Sequence, residues 1–154
     1  MSDNTVPLHV KFLRDRTRHQ PPAQATPESA GLDLRAALDT PSLTIAPGER
    51  AAVATGIAIE IDRPGIAGFV FSRSGLGAKH GLTVAQGVGV IDPDYRGEIV
   101  VWLLNTASRP VTIQAGDRIA QLVLMPVCIP RVEVVEELGD TTRGTGGFGH
   151  TGRG

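Results

Sequence analysis

The chain is poor in several residue types that define common protein classes. One cysteine in 154 residues, Cys128, excludes an intrachain disulfide framework and any thiolate metal cluster. Its four histidines, His9, His19, His80 and His150, fall at no metal-ligand spacing, so a zinc site is not expected. Fifteen basic residues against sixteen acidic ones leave no broad positive surface for DNA or RNA, although a local pocket for a small anion stays open. No apolar run reaches 18 residues, which excludes a membrane-spanning helix. The start, with Asp3, lacks a basic stretch leading into an apolar one, so no secretory signal is expected and the chain reads as soluble and cytoplasmic. There is no phosphate-binding GKS or GKT, no dinucleotide fingerprint and no Gly-x-Ser-x-Gly elbow. Direct attack by water therefore suits the residue types better than a covalent serine mechanism. Aromatic residues number only six, which makes the position of each informative.

Glycine and proline are abundant instead: 19 and 11 residues, about a fifth of the chain against roughly 12% in average usage. They are spread through the chain, which disfavours a long-helix bundle, and a 41% hydrophobic content is enough for a core. Alternating or short apolar runs at 6–12, 32–37, 43–61, 68–72, 82–91, 98–105 and 109–127 read as strands, the clearest being Ile57, Ile59 and Ile61 alternating with Ala58, Glu60 and Asp62. Pro47-Gly48, Pro64-Gly65 and Ala115-Gly116-Asp117 read as turns. The single short helix is expected at 74–80, with Ser74 capping its first turn. Cys128 lies in the apolar run LVLMPVCIP and is expected to be buried, and 132–138 to form a last strand. About ten short strands imply an all-β sandwich or barrel-like fold. The chain divides into a compact body, 1–138, and a tail, 139–154, in which six glycines fall between 144 and 154.

Four stretches carry candidate chemistry. In FSRSGLG, 71–77, Arg73 and Ser74 stand at a strand-to-helix junction; this is either an anion site or an ordinary cap with a surface arginine. The loop VIDPDYRGE, 90–98, gathers Asp92, Asp94, Tyr95, Arg96 and Glu98, where a carboxylate either orients a water or metal or belongs to a polar hairpin turn. Gln121 interrupts an apolar strand, and Asp33 lies between two leucines in AGLDLRA; each is either a ligand or a solvent-facing polar residue. The tail, with Arg143 and the isolated aromatic Phe148, is either a disordered end or a segment whose backbone N–H groups wrap an anion.

Together AGLDLRA, FSRSGLG, GVGVIDPDYRGEI, GDRIAQLVL and RGTGGFGHTG, in this order, resemble the homotrimeric deoxyuridine triphosphatase (dUTP diphosphatase) family over about residues 6–152. The resemblance implies a distorted jelly-roll or β-clip barrel with one short helix and a flexible Gly-rich tail. It implies magnesium-dependent hydrolysis of dUTP to dUMP and diphosphate by water attack on the α-phosphorus. Asp92 is the implied general base, and Tyr95 packs on the deoxyribose. Gln86, Gly89, Val90 and Ile91 belong to the hairpin that reads uracil. Arg73, Ser74, Gly75 and Gln121 are implied phosphate ligands, and Asp33 meets Mg2+ through metal-bound water. In the tail Arg143 is implied to contact the γ-phosphate, Phe148 to stack over uracil, and Gly149, His150 and Thr151 to wrap the phosphates. The implied partner is a second and third copy of the chain, with active sites shared between subunits. Gln86 stands where the family often has Asn, and His150 where many members have Ser. A dCTP deaminase of the same superfamily and a non-catalytic nucleotide-binding module are the alternatives; the GVIDPDYRG arrangement favours the triphosphatase.

Overall fold

The computed structural model describes residues 5–17 and 20–147. The described chain is mostly β, with twelve strands, one 3-10 turn at Asp15–Thr17 and one helix. The strands are β1 (Leu8–Phe12), β2 (Ala23–Gln24), β3 (Leu32–Arg35), β4 (Ser42–Ile45), β5 (Arg50–Ala54), β6 (Ile57–Ile61), β7 (Ile66–Ser72), β8 (Leu82–Val84), β9 (Gly89–Ile91), β10 (Val100–Asn105), β11 (Val111–Gln114) and β12 (Arg118–Pro126). The helix α1 spans Ser74–His80 between β7 and β8. Every strand pairing is antiparallel.

These strands form four small sheets, ordered β2-β3-β12-β7-β9, β5-β10-β8, β1-β6 and β4-β11. All four contribute to one core: Leu34, Ile45, Val53, Ile59, Val70, Leu103, Ile113 and Leu122 are among its buried members. The isoleucines of β6 face inward and Glu60 faces out, as their alternation requires. The three expected turns lie where Gly48, Gly65 and Gly116 take positive φ. Asn105, the one buried asparagine among the described residues, is fully used. Its amide nitrogen donates to the carbonyls of Ile45 and Arg109, and its oxygen accepts from the Ala107 N–H. A buried side-chain amide left unpaired would be costly; here it ties the end of β10 to β4.

Three local expectations change. Arg73, in an extended conformation, is the N-cap of α1, so Ser74 is the first helical residue and caps nothing through its side chain. The helix stops at Gly81, whose φ of 69° and close approach to the Ala107 backbone admit no side chain: a Cβ there would stand 2.7 Å from the Ala107 nitrogen. At the other end of the chain, β12 pairs with β7 as far as Pro126 opposite Ile66. Beyond it no strand forms at 132–138, and Cys128 is exposed. Pro126 and Pro130 flank the cysteine and have no N–H to extend the ladder, so the apolar run leaves the core rather than entering it. Among the described residues no helix is long and apolar enough to cross a membrane.

Candidate functional site

The two leucines of β3 turn toward the core and set Asp33 on the opposite face, beside the middle of the five-stranded sheet. In that sheet β12 lies between β3 and β7, and its Gln121 stands opposite both Asp33 and Phe71. Where β7 ends, Arg73 turns back toward β3. Its Nε lies 2.9 Å from Asp33 Oδ1, while Arg118 Nη1 lies 3.0 Å from Asp33 Oδ2. Arg73 Nη1 also donates to the Arg118 carbonyl, at 3.1 Å. The Asp33 side chain is only 13% exposed, so it is not the free surface aspartate that the sequence left open. Asp33, Arg73, Ser74, Gly75 and Gln121 line one open pocket together with Ala30 and Gly31. The N–H groups of Ser74, Gly75 and Leu76 precede the first helical hydrogen bond, which runs from Gly77 N–H to the Arg73 carbonyl. The pocket thus combines a guanidinium, unpaired backbone donors of the first turn, a hydroxyl and an amide: a donor-rich surface suited to phosphate oxygens.

A second pocket lies along β8, β9 and the turn that joins them; the expected hairpin does not form among the described residues, because β8 pairs with β10 and β9 with β7, in different sheets. Gln86, Gly89, Val90, Ile91, Asp92 and Tyr95 all line it, with Val70, Val84 and Glu98. At about 240 Å³ it is below the roughly 300–1,000 Å³ of a site enclosing a whole drug-sized ligand; it suits a fragment the size of a ring. β9 is held against β7 through the pairs Gly68–Ile91, Phe69–Val90 and Val70–Gly89. The chain then turns at Asp92-Pro93-Asp94-Tyr95, closed by the Tyr95 N–H donating to the Asp92 carbonyl at 3.0 Å. Asp first and Pro second is the favoured composition of a type I turn. Tyr95 folds back, its hydroxyl donating to the Glu98 carbonyl at 3.0 Å. That path exists because residue 97 is glycine: a Cβ there would lie 2.6 Å from Cζ of the tyrosine ring. Glu98 is engaged elsewhere, accepting from the Gly56 N–H at 2.9 Å and from Arg14 Nε at 3.3 Å. Asp92, by contrast, presents an exposed carboxylate at the pocket's edge.

The two pockets share no lining residue, although β7 is the strand against which β9 pairs, and it leads directly to Arg73. Arg143 lines neither; its Nε donates to the Gly146 carbonyl within a local turn. Phe148, Gly149, His150 and Thr151 lie outside the described residues. Two charged residues were not singled out from the sequence. Arg118 lies inside the GDRIAQLVL motif, where Gln121 is the more conspicuous residue; its contact with Asp33 joins positions 85 residues apart, which no local pattern signals. Glu60 was read only as the outer face of β6, yet it pairs with Arg96 across 36 residues of sequence.

Among the described residues no three His, Cys, Asp or Glu side chains converge on a point that could hold a metal. Both Asp33 oxygens are occupied by guanidinium groups. These residues do not build a protein cage for a divalent cation. Magnesium, however, keeps several waters and relies on one or two carboxylates plus substrate phosphates. One carboxylate at the rim of an anion pocket fits that mode, through water rather than by direct ligation.

Comparison with known proteins accords with this arrangement. The dUTPase family model matches residues 18–152. A deoxyuridine 5'-triphosphate nucleotidohydrolase of Desulfitobacterium hafniense (strain DSM 10664 / DCB-2) is 48% identical over 149 residues, covering 97% of this chain and 98% of that protein. The protein of the same name from Shewanella oneidensis is 47% identical over 149 residues, covering 96% and 97%. Among solved structures, the Staphylococcus bacteriophage 80alpha dUTPase with dUPNHPP superposes with a TM-score of 0.83 at 28% identity, covering 96% of this chain and 99% of that one. A family match over most of the chain and near-half identity across its whole length lead to one conclusion: this chain belongs to the dUTPase family of hydrolases.

Proposed function

We propose that the protein hydrolyses dUTP to dUMP and diphosphate in a magnesium-dependent reaction. The observation that carries this reading is the sorting of the candidate residues into two pockets, one rich in anion donors and one shaped by β8, β9 and the following turn around a carboxylate and an aromatic ring. Each suits one half of a nucleotide. Gln86 and the backbone of Gly89, Val90 and Ile91 meet the uracil edge. Tyr95 packs against the deoxyribose and leaves no room for a 2'-hydroxyl. Arg73, Ser74, Gly75 and Gln121 hold the phosphates.

Asp92 accepts a proton from water, whose oxygen forms a bond to the α-phosphorus while the bond to the bridging oxygen breaks and diphosphate departs. Donors already aimed at the phosphate oxygens offset the charge that develops. Magnesium, when bound with the nucleotide, neutralises phosphate charge and aids the leaving group. Asp33 would hold that ion through bound water, and it also holds Arg73.

We further propose a homotrimer of jelly-roll, β-clip barrels in which the anion pocket of one copy faces the β8–β9 pocket of another. A third copy lends its tail, residues 139–154, as a lid over a body of residues 1–138; Arg143, Phe148, Gly149, His150 and Thr151 make its contacts. Ile129, Val132, Val134, Val135 and Leu138 are exposed on the single chain, Val134 at 96%. Covering each such side chain is worth about 1.5–3 kcal/mol, which supports association of copies through this segment.

The test is one assay. With magnesium, dUTP should release diphosphate while dCTP and UTP do not. Deamination of dCTP, or binding of dUTP without turnover, would overturn the assignment.

A further inference from the structure

The turn that carries Asp92 and Tyr95 is an exposed loop, and reaction geometry is unforgiving. A misplacement near 1 Å can cost on the order of a hundredfold in rate. Something must hold that turn still. Its own closing bond, from Tyr95 N–H to the Asp92 carbonyl, sets its shape but not its place on the body.

We propose that Arg96 is a positioning residue that clamps the Asp92–Tyr95 turn to strand β6 through Glu60. This rests on the roles of Asp92 and Tyr95 proposed above. Arg96 Nη1 donates to the Pro93 carbonyl at 2.7 Å and to the Tyr95 carbonyl at 3.2 Å. Its Nη2 donates to Glu60 Oε1 at 3.0 Å. One planar guanidinium therefore spans two carbonyls of the turn and one carboxylate of the body. Glu60 is itself held. It lies on β6 between the buried Ile59 and Ile61, directly opposite His9 of β1, and its second oxygen lies 3.4 Å from His9 Nδ1. The path from core to catalytic turn is thus β6, Glu60, Arg96, Pro93 and Tyr95.

Stability is not the reason for the pair. Arg96 and Glu60 are 51% and 50% exposed, and exposed ion pairs contribute little to folding. The geometry is the point. A fork with donors on two nitrogens reaches both sides at once; a lysine ammonium, a single point charge, cannot reproduce that planar span.

Two readouts test the clamp. The first is turnover of dUTP and UTP with magnesium by the full chain. The second does not need activity: Tyr95 is the only tyrosine, so ring-labelled tyrosine yields one NMR signal reporting that turn. Arg96→Ala should keep the wild-type melting temperature. It should lower kcat/KM for dUTP by about tenfold to a hundredfold, mainly in kcat, narrow the preference for dUTP over UTP, and shift and broaden the tyrosine signal. Glu60→Ala should shift the same signal in the same direction, and Arg96→Lys should restore only part of the loss.

Wild-type turnover with an unmoved tyrosine signal in Arg96→Ala would overturn the clamp, as would full rescue by lysine. If Arg96→Ala does not fold, Glu60→Ala decides by the same criteria. A wild-type protein that releases no diphosphate from dUTP would sink the functional assignment. The tyrosine signal would then judge the clamp alone.

Discussion

Arg73, just past the end of β7, and Asp33 on β3 meet at 2.9 Å across the single intervening strand β12, which carries Gln121. The pair couples the anion pocket to the sheet: Asp33 orients the guanidinium, and the guanidinium, shared with Arg118 on the other oxygen, satisfies a largely buried carboxylate. Removal of either partner is therefore expected to affect both stability and binding.

Asp33→Ala leaves Arg73 and Arg118 without their common acceptor. We expect a loss of roughly 1–3 kcal/mol in stability, measured by urea denaturation, together with a raised KM for dUTP. Unchanged stability would mean that the pair is not maintained in solution.

Asp92→Asn keeps the shape of the turn and removes its carboxylate. Turnover should fall by about a hundredfold to ten-thousandfold, while calorimetric binding of a non-hydrolysable imido analogue of dUTP stays close to that of the wild type. Equal losses in binding and turnover would remove Asp92 from the role of base.

Gly97→Ala drives a methyl group into the ring of Tyr95, 2.6 Å from Cζ. The ring must move, so the ratio of dUTP to UTP turnover should fall by at least about tenfold. Overpacking of this kind also costs on the order of 1–3 kcal/mol. A thermal melt beside the two kinetic assays separates these effects.

The carboxyl of Glu60 is held below the usual glutamate range by its hydrogen bond to His9 and by the charge and hydrogen bond of Arg96. A depressed carboxyl contributes stability above its unfolded pKa, about 4.3, and loses it as pH falls through the lower folded value. The Arg96–Glu60 contact should therefore persist from neutral pH into the weakly acidic range and part only below that glutamate value. A carbon-13 carboxyl titration of Glu60 would read this directly; a midpoint at or above the usual value would contradict it.

Truncation after Thr142 removes Arg143 and the glycine-rich end while sparing every residue of the core. The body should melt as the full chain does, and dUTP turnover should fall severely. A large drop in melting temperature, or in oligomer stability by sedimentation, would show that the tail holds the fold together rather than covering a site.

Much of the scaffold was readable before the structure. The alternation in β6, the turns at Gly48, Gly65 and Gly116 and the helix at 74–80 follow from local preferences: side-chain periodicity and backbone freedom act within a few residues. The expectations that failed were those for which local pattern competes with chain geometry. The apolar run around Cys128 reads as core, yet strand pairing ends at Pro126. Ser74 reads as a cap, yet Arg73 before it takes the extended conformation a cap needs. Asp33 was legible as lying on the face away from its leucine neighbours, but not as a residue held by two arginines.

By itself the sequence determined the strand-rich class, the turns at Gly48, Gly65 and Gly116, and the five motifs that assign the chain to its family, because these depend on residue type and spacing alone. Only the tertiary structure decided which of the motif residues meet. β12 lies between β3 and β7, so Asp33, Arg73 and Gln121 share one pocket. Glycine at 97 and the turn at Asp92 put the carboxylate and Tyr95 in another. Pairings such as Arg118 with Asp33, or Arg96 with Glu60, join residues far apart in the chain. No local preference encodes them; they arise when the burial of a common core fixes the order of the strands.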